Sequence, residues 1–225
     1  MLYIVSTPIG NLKDLSFRAV EVLNAVDLIA AEDTRHTKIL TQHYGIRTPL
    51  TSFFEHNQYK KAGYLLRLLK EGKNVALVTD AGTPGISDPG YHLIRLAQDD
   101  GIPLTVVPGP TALIAALTVS GLSAHSFIFE GFLPVKQLAR RQKLEYLKKE
   151  KRTMIFYESP HRLMRTLQDF RDVFRNPFLV CVRELTKKFE EVRKGQADEL
   201  MEHFRKNKPK GEFVLLVSLE DQSSN

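Results

Sequence analysis

The chain has 225 residues, of which 43% are hydrophobic and 26% charged, values that are typical of a globular protein. No apolar run reaches the ~18 residues of a membrane span, and the apolar N-terminus lacks the basic start of a signal peptide. The single cysteine cannot form an internal disulfide, and no Cys/His group has the spacing of a zinc site. We therefore expect a soluble, cytoplasmic protein without a metal.

The net charge of +6 is unevenly distributed along the chain. Residues 1–117 contain 11 of the 32 Lys and Arg and 11 of the 26 Asp and Glu, so this half is neutral. The remaining 21 basic and 15 acidic residues place the whole positive excess in residues 118–225. Such a basic surface serves either solubility or the binding of a polyanion, and charge alone leaves both readings open.

The first half alternates strand and helix patterns, which favours a mostly parallel sheet with helical crossovers. Predicted strands cover Leu2–Ser6, Leu28–Ala31, Leu50–Phe53, Val75–Thr79 and Leu104–Val107. Predicted helices lie around Phe17–Leu23 and over Thr34–Tyr44, Asn57–Glu71, Tyr91–Asp99 and Thr111–Val119.

Small and polar residues at 121–125 form the best linker candidate, so we predict domains at 1–120 and 121–225. In the second half, predicted strands cover Phe127–Gly131, Thr153–Tyr157, Phe178–Arg183, Phe189–Arg193 and Glu212–Leu219. Predicted helices cover Gln137–Glu150, Pro160–Phe174 and Ala197–Lys206, and residues 221–225 form a polar tail. We therefore expect two tandem α/β domains, with a ligand cleft between them at the carboxyl ends of strands.

Three loops rich in Gly and Pro follow strands of the first half, at residues 7–11, 80–90 and 107–112. Glycine allows a positive φ or a close approach of the backbone, and proline stiffens a turn. Any one of these loops could be a plain strand-to-helix connection, but three at one end of a parallel sheet favour a small-molecule pocket. The chain lacks both the G-x-G-x-x-G pattern and the phosphate-binding loop, which argues against NAD and ATP.

Eight basic residues lie on the predicted helix Gln137–Glu150 and its flanks, where only Glu145 and Glu150 oppose them. They are Lys136, Arg140, Arg141, Lys143, Lys148, Lys149, Lys151 and Arg152. Tyr146 is the only aromatic residue among them, so contacts with phosphate fit this cluster better than stacking on bases.

Eight segments together resemble one family in the same order along the chain. They are VSTPIGNL, AEDTR, VTDAGTPGISDPG, VVPGPTALIAAL, FEGFLP, FYESPHR, RELTKKFEE and KGEFVLLV. They resemble the small-subunit ribosomal RNA methyltransferase I family, within the class III (tetrapyrrole methylase-like) methyltransferases that use S-adenosylmethionine. The resemblance implies a homodimer that methylates the 2′-hydroxyl of a cytidine ribose in small-subunit rRNA, with the donor bound between the domains.

The resemblance also implies which residues bind the methyl donor. By motif position these are Pro8, Ile9, Gly82, Thr83, Pro84, Ile86, Thr111 and Ala112, with Tyr157 and Gly211 closing the site. It implies no metal ion.

Methylation of a ribose hydroxyl requires a base to accept its proton or a cation to stabilise the developing negative charge, because that hydroxyl is a very weak acid at neutral pH. The candidate bases are Asp33, Asp80 and Asp88, and the candidate cations are Arg35 and Lys187. Asp80 is favoured because it opens the most constrained loop. Asp33 has an alternative explanation, because aspartate is also a good helix N-cap.

Two other functions stay open from the sequence. A methyltransferase of tetrapyrrole-type small molecules could use the same donor loops, although the basic second half exceeds what such a substrate needs. A non-enzymatic RNA-binding module for ribosome assembly would use the basic half, but it would not need the three Gly/Pro loops.

Overall fold

The computed structural model describes residues 1–219, and the chain divides into two compact units, Met1–Thr111 and Ala112–Asn225. The division precedes the helix Ala112–Ser120 and differs from the predicted linker at 121–125, because this helix packs on strands of the second unit. The helix is apolar on nearly all sides, so its sequence pattern does not indicate which sheet it covers. The predicted polar tail 221–225 lies outside the described residues.

The first unit is built on a sheet of five parallel strands in the order β3-β2-β4-β1-β5, as the alternating pattern predicts. The strands are β1 (Leu2–Val5), β2 (Leu28–Ala31), β3 (Leu50–Ser52), β4 (Val75–Val78) and β5 (Leu104–Val107). The helices are α1 (Phe17–Ala25), α2 (Thr34–His43), α3 (Gln58–Lys70) and α4 (Tyr91–Asp99).

Alternation along the strands gives this sheet two buried faces. Val5 belongs to an apolar cluster with residues of α1 and α2, whereas Leu2 belongs to another with residues of α3 and α4. Every residue of β4 is buried, which explains its unbroken apolar sequence. Ser16 is the N-cap of α1, and its hydroxyl accepts a hydrogen bond from the Ala19 N–H. This local cap fixes the residue at which the helix begins.

The second unit contains a mixed sheet in the order β6-β7-β10-β8-β9, in which only β6 and β7 are parallel among the described strands. The strands are β6 (Phe127–Phe132), β7 (Thr153–Glu158), β8 (Phe178–Arg183), β9 (Glu191–Gln196) and β10 (Phe213–Val217). The helices are α5 (Ala112–Ser120), α6 (Gln137–Leu147), α7 (Leu163–Phe174) and α8 (Ala197–Lys206). An apolar core joins residues of α6, α7 and α8 to the sheet, with Phe156, Phe170, Phe204 and Phe213 among its largest members.

Three predicted elements of the second unit have a bound that is wrong by three residues. α7 begins at Leu163 and not at Pro160, because residues 160–162 form a turn. α6 ends at Leu147 and not at Glu150, because the chain closes with a tight turn and the Glu150 carboxylate then accepts hydrogen bonds from Arg152. β9 covers Glu191–Gln196 and not Phe189–Arg193, because its register is set by antiparallel pairing with β8 as far as Gln196. No helix among the described residues is long and apolar enough to cross a bilayer.

Candidate active site

Three loops of the first unit lie side by side at the carboxyl edge of its sheet. β1 lies between β4 and β5, and Val5 at its end is level with Val107 at the end of β5. The Gly/Pro-rich loops that follow these strands therefore meet, as the parallel arrangement predicts.

The loops after β1 and β4 are joined directly through their backbones. The N–H of Thr7 donates to the carbonyl of Gly82 (2.9 Å), and the N–H of Gly82 donates to the carbonyl of Thr7 (3.0 Å). The Thr7 hydroxyl also donates to the carbonyl of Thr79 (3.0 Å). Gly82 has a φ of 88°, a conformation that other residues rarely adopt, so glycine is needed to make this junction.

The loop after β5 is held against the loop after β1. The Ser6 N–H donates to the carbonyl of Val107 (3.2 Å), and a Cβ atom at Gly109 would lie only 2.9 Å from the Cβ of Ser6. The hydroxyls of Ser6 and Thr83 are hydrogen-bonded to each other at 2.8 Å. Ser6 therefore contacts both neighbouring loops, a role that the sequence analysis missed because serine after a strand is common.

Carboxylates bridge the ends of the neighbouring strands β2 and β4. Glu32 accepts hydrogen bonds from the Thr79 hydroxyl and from the Asp80 N–H (3.2 Å). Asp80 in turn accepts one from the Asp33 N–H through Oδ1 (3.1 Å). These hydrogen bonds fix the ends of β2 and β4 to each other, and they orient the carboxylate of Asp80.

The two aspartates of this group have opposite electrostatic environments. Burial and the nearby charge of Glu32 raise the pKa of Asp80 above its usual range. The Arg35 guanidinium and the Arg35 N–H hold the pKa of Asp33 well below its usual range. Asp33 is the N-cap of α2, and Arg35 extends into solvent, so this ion pair serves the start of the helix. Asp80 is consequently the better candidate for a base.

The predicted donor-binding residues of the first unit lie on the three loops. Pro8, Ile9, Gly82 and Pro84 are buried, Thr83 and Thr111 are partly buried, and Ile86 is exposed. Asp88, a predicted base, is partly buried on the loop 80–90. Gly85 and Gly90 in the same loop approach each other so closely that a Cβ atom on Gly90 would lie 3.0 Å from the Gly85 nitrogen.

The other predicted site residues belong to the second unit. Ala112 begins α5, and Tyr157 lies on β7 with its ring against Phe129 and Phe132. Gly211 has a φ of 82°, and a Cβ atom there would lie 2.3 Å from the carboxyl carbon of Glu184. The Glu184 side chain occupies the space that a side chain at position 211 would need, so local packing is enough to explain the glycine there.

Lys187 lies between two carboxylates of the second unit. Its ammonium group donates to Glu184 at 3.0 Å and to Glu212 at 2.8 Å. Burial alone would lower the pKa of Lys187, but its hydrogen bonds to Glu212 and Glu184 outweigh burial and raise that pKa. Glu184 has a φ of 51° and Thr186 one of 65°, so the loop that carries Lys187 is strained.

The eight basic residues predicted to contact RNA differ in whether their positive charge is already paired with a carboxylate. Arg140 is only 2% exposed and forms a salt bridge with the fully buried Asp169 at 2.6 Å. A side chain in that position cannot reach a phosphate without breaking a buried pair, so we correct its predicted role to a structural one. Arg141 also bonds to Asp169, at 2.6 Å, and to Asp172.

Three more of these cations have acidic partners on the surface. Salt bridges join Lys143 to Glu130, Lys148 to Glu145 and Arg152 to Glu150. Lys136, Lys149 and Lys151 are exposed and have no acidic partner among residues 1–219. The free positive charge of this cluster is therefore much smaller than its composition suggests.

The chain is similar over nearly its whole length to curated ribosomal RNA methyltransferases. It is 51% identical to "Ribosomal RNA small subunit methyltransferase I" of Escherichia coli O157:H7, over 96% of this chain and 77% of that protein. It is 49% identical to the protein of the same name from Thermotoga maritima, over 96% of this chain and 97% of that protein.

A family profile and solved structures give the wider relationship. The profile described as Tetrapyrrole (Corrin/Porphyrin) Methylases matches residues 1–201. A uroporphyrin-III-C-methyltransferase from Thermus thermophilus superposes with a TM-score of 0.69 at 21% identity, over 97% of this chain and 94% of that chain. A diphthine synthase superposes with a TM-score of 0.76 at 13% identity, over 96% of this chain and 88% of that chain. At such low identity these two structures show a shared fold alone.

Proposed function

The chain belongs to the tetrapyrrole methylase family and, within it, to the ribosomal RNA small subunit methyltransferase I group, and from this premise we propose its reaction. The protein is a methyltransferase of ribosomal RNA that uses S-adenosylmethionine. The finer part of the proposal is that it methylates the 2′-hydroxyl of a cytidine ribose in the small-subunit RNA. The observation that carries the methyl-transfer reaction is the set of three interlocked loops beside the carboxylates Glu32 and Asp80. The nucleoside and the position of the methyl group follow from the family resemblance.

The residues at this edge suit the methyl donor chemically. Buried Pro8, Ile9 and Pro84 provide apolar contact for a flat ring, and the Thr83 hydroxyl and exposed loop backbone provide polar groups. When bound, S-adenosylmethionine supplies a methyl group on a positively charged sulfur. Glu32, Asp33 and Asp80 place negative charge near the loops, which favours a cationic ligand.

We propose that Asp80 acts as the base for the ribose hydroxyl. Its Oδ1 is engaged by the Asp33 N–H, and no hydrogen bond within residues 1–219 engages Oδ2. Oδ2 is therefore placed to accept the proton of the hydroxyl. A raised pKa makes the carboxylate a stronger base than an ordinary aspartate and brings that pKa closer to neutral pH.

Lys187 is proposed as the cation that stabilises the developing negative charge on the ribose oxygen. Its raised pKa keeps it positively charged at neutral pH, and Glu184 and Glu212 restrict where its ammonium group can lie. Asp33 and Arg35 retain only a supporting role in this scheme, because Asp33 is the N-cap of α2 with a lowered pKa and Arg35 extends into solvent. The homodimer that the resemblance implies stays a prediction, which light scattering of the purified protein would check.

A direct test uses small ribosomal subunits from cells that lack the protein. The purified protein and S-adenosylmethionine should add one methyl group to their RNA, and mass spectrometry of the digested nucleosides should identify it as 2′-O-methylcytidine. A methyl group on a base, or on another nucleoside, would contradict the 2′-O-cytidine assignment.

The alternative functions have distinct outcomes in solution. Methylation of a porphyrin-type compound in place of RNA would favour the small-molecule reading. Absence of any measurable S-adenosylmethionine affinity by calorimetry would favour the non-enzymatic RNA-binding module.

A further inference from the structure

The second unit contains an open recess of about 490 Å³ among α6, α7 and α8. This volume lies within the range of pockets for small organic ligands. Its lining residues are Val135, Gln137, Arg140, Met164, Arg165, Gln168 and Met201. Only Arg140 belongs to the residues already considered for RNA binding, so the recess is a separate feature of the second unit.

Two glutamine side chains on the recess are held in one orientation by carboxylates. The Nε2 of Gln137 donates to Asp169 at 3.3 Å, and the Nε2 of Gln168 donates to Asp172 at 2.8 Å. A carboxylate accepts hydrogen bonds only, so each amide nitrogen must face its aspartate. The carbonyl oxygens of both glutamines have no donor among residues 1–219, and they are available to accept hydrogen bonds from a ligand.

The other residues that line the recess are either apolar or cationic. Met164 and the exposed Val135 offer polarizable or aliphatic contact for a flat ring, and the edge of Met201, which is 3% exposed, reaches the same recess. Arg165 is exposed on the recess and has no acidic partner in the described part of the chain. Arg140 lines the same recess, with its charge already balanced by Asp169.

We propose that this recess binds one nucleotide of the RNA substrate, other than the nucleotide that is methylated. The base packs against Met164 and Met201, its amino group donates to the Gln137 and Gln168 carbonyls, and its phosphate pairs with Arg165. A plain anion would use Arg165 but neither the carbonyl acceptors nor the thioether wall. The inference rests on the proposed function, because it assumes an RNA substrate.

The four methionines allow a direct test in the intact protein. With ¹³C-labelled methionine methyl groups, titration with CMP should shift the NMR signals of Met164 and Met201. The signal of Met154, which is fully buried in the core, should stay unchanged. AMP and GMP should bind like CMP, and UMP about fivefold more weakly because uracil lacks an exocyclic amino group.

Two controls separate base recognition from simple attraction of an anion. Inorganic phosphate alone should leave Met164 and Met201 unshifted, and Arg165→Ala should weaken CMP binding about fivefold. Arg47→Ala, at an exposed arginine of the first unit, should not change it. Equal shifts with phosphate and CMP, or no shifts at saturating CMP, would overturn the inference.

Methylation assays distinguish failure of this inference from failure of the proposed function. Arg165→Ala should raise the KM for small subunits about fivefold and leave kcat unchanged, whereas Arg47→Ala should leave both unchanged. If the methionine signals stay fixed while small-subunit RNA is methylated, only the recess proposal fails. If they shift but no RNA is methylated, the nucleotide site stands and the proposed function fails.

Discussion

The two units use charge in opposite ways. The first unit is nearly neutral, yet its loop edge gathers Glu32, Asp33 and Asp80 within hydrogen-bonding distance of one another's backbone. The second unit holds the positive excess, yet Arg140, Arg141 and other members of its basic cluster are paired with carboxylates. Composition therefore measures how much charge a segment has, whereas chemistry depends on which charges stay unpaired and where they lie.

The largest expected effect comes from removing the charge of Asp80. Asp80→Asn keeps an oxygen to accept from the Asp33 N–H but loses the base, so the single-turnover methylation rate should fall about 10²- to 10⁴-fold. Calorimetry should show a much smaller loss of affinity for S-adenosylmethionine, because Glu32 and Asp33 keep their negative charge beside the loops. Asp99→Asn, at an exposed position of α4, is the matched control and should be fully active. A fully active Asp80→Asn would remove Asp80 from the mechanism.

The second-largest expected effect is a loss of stability when Arg140 is replaced. It distinguishes a cation with a structural role from one that binds RNA. Arg140→Met leaves the fully buried Asp169 without its main partner, so the free energy of unfolding should fall by about 3–5 kcal/mol. Urea denaturation measures it. Asp169→Leu combined with Arg140→Met should recover part of the loss, because no uncompensated buried charge then remains. An unchanged free energy of unfolding together with weaker RNA binding would restore Arg140 as an RNA contact.

The three lysines that have no acidic partner among residues 1–219 should affect RNA affinity and not stability. Replacing Lys136, Lys149 and Lys151 by Ala should weaken small-subunit RNA binding about tenfold and flatten its dependence on salt, because fewer counterions are released. The paired cations Lys143, Lys148 and Arg152 provide a matched triple variant, which should have a smaller effect. Equal effects of the two triple variants would mean that pairing does not decide which cations bind RNA.

The smallest effect is a shift of the pH dependence. Asp80 is faced by Glu32 and Asp33, which are negative, and by Arg35 and His36 on α2. Glu32→Gln keeps the hydrogen-bond acceptor but removes one negative charge, so the pKa of Asp80 should fall.

Because Asp80 acts as a base only when ionised, a lower pKa keeps the Glu32→Gln variant active to lower pH, by up to about one pH unit. The pH profile of the single-turnover rate measures it. Glu55→Gln, at an exposed glutamate of the first unit, should leave the profile unchanged. A shift of the acid limb to higher pH would contradict the assignment.

Much of the loop site could be predicted from the sequence because its signals are local. Glycine and proline at the ends of β1, β4 and β5 mark turns whose backbone requirements do not depend on distant residues. The contact between Glu32 and Asp80 could not be predicted in the same way. It requires β2 and β4 to be neighbours, although β3 lies between them in the chain.

The amino-acid sequence by itself determined the α/β class, the parallel first sheet, the order of most strands and helices, and the family. These depend on the period of apolar residues and on short motifs, which are written in consecutive residues. Only the tertiary structure decided that Arg140 is buried, that α5 packs with the second unit, and that two glutamines line a recess with carbonyl oxygens that no donor among residues 1–219 engages. Burial and pairing arise between residues that are far apart along the chain, so no local pattern encodes them.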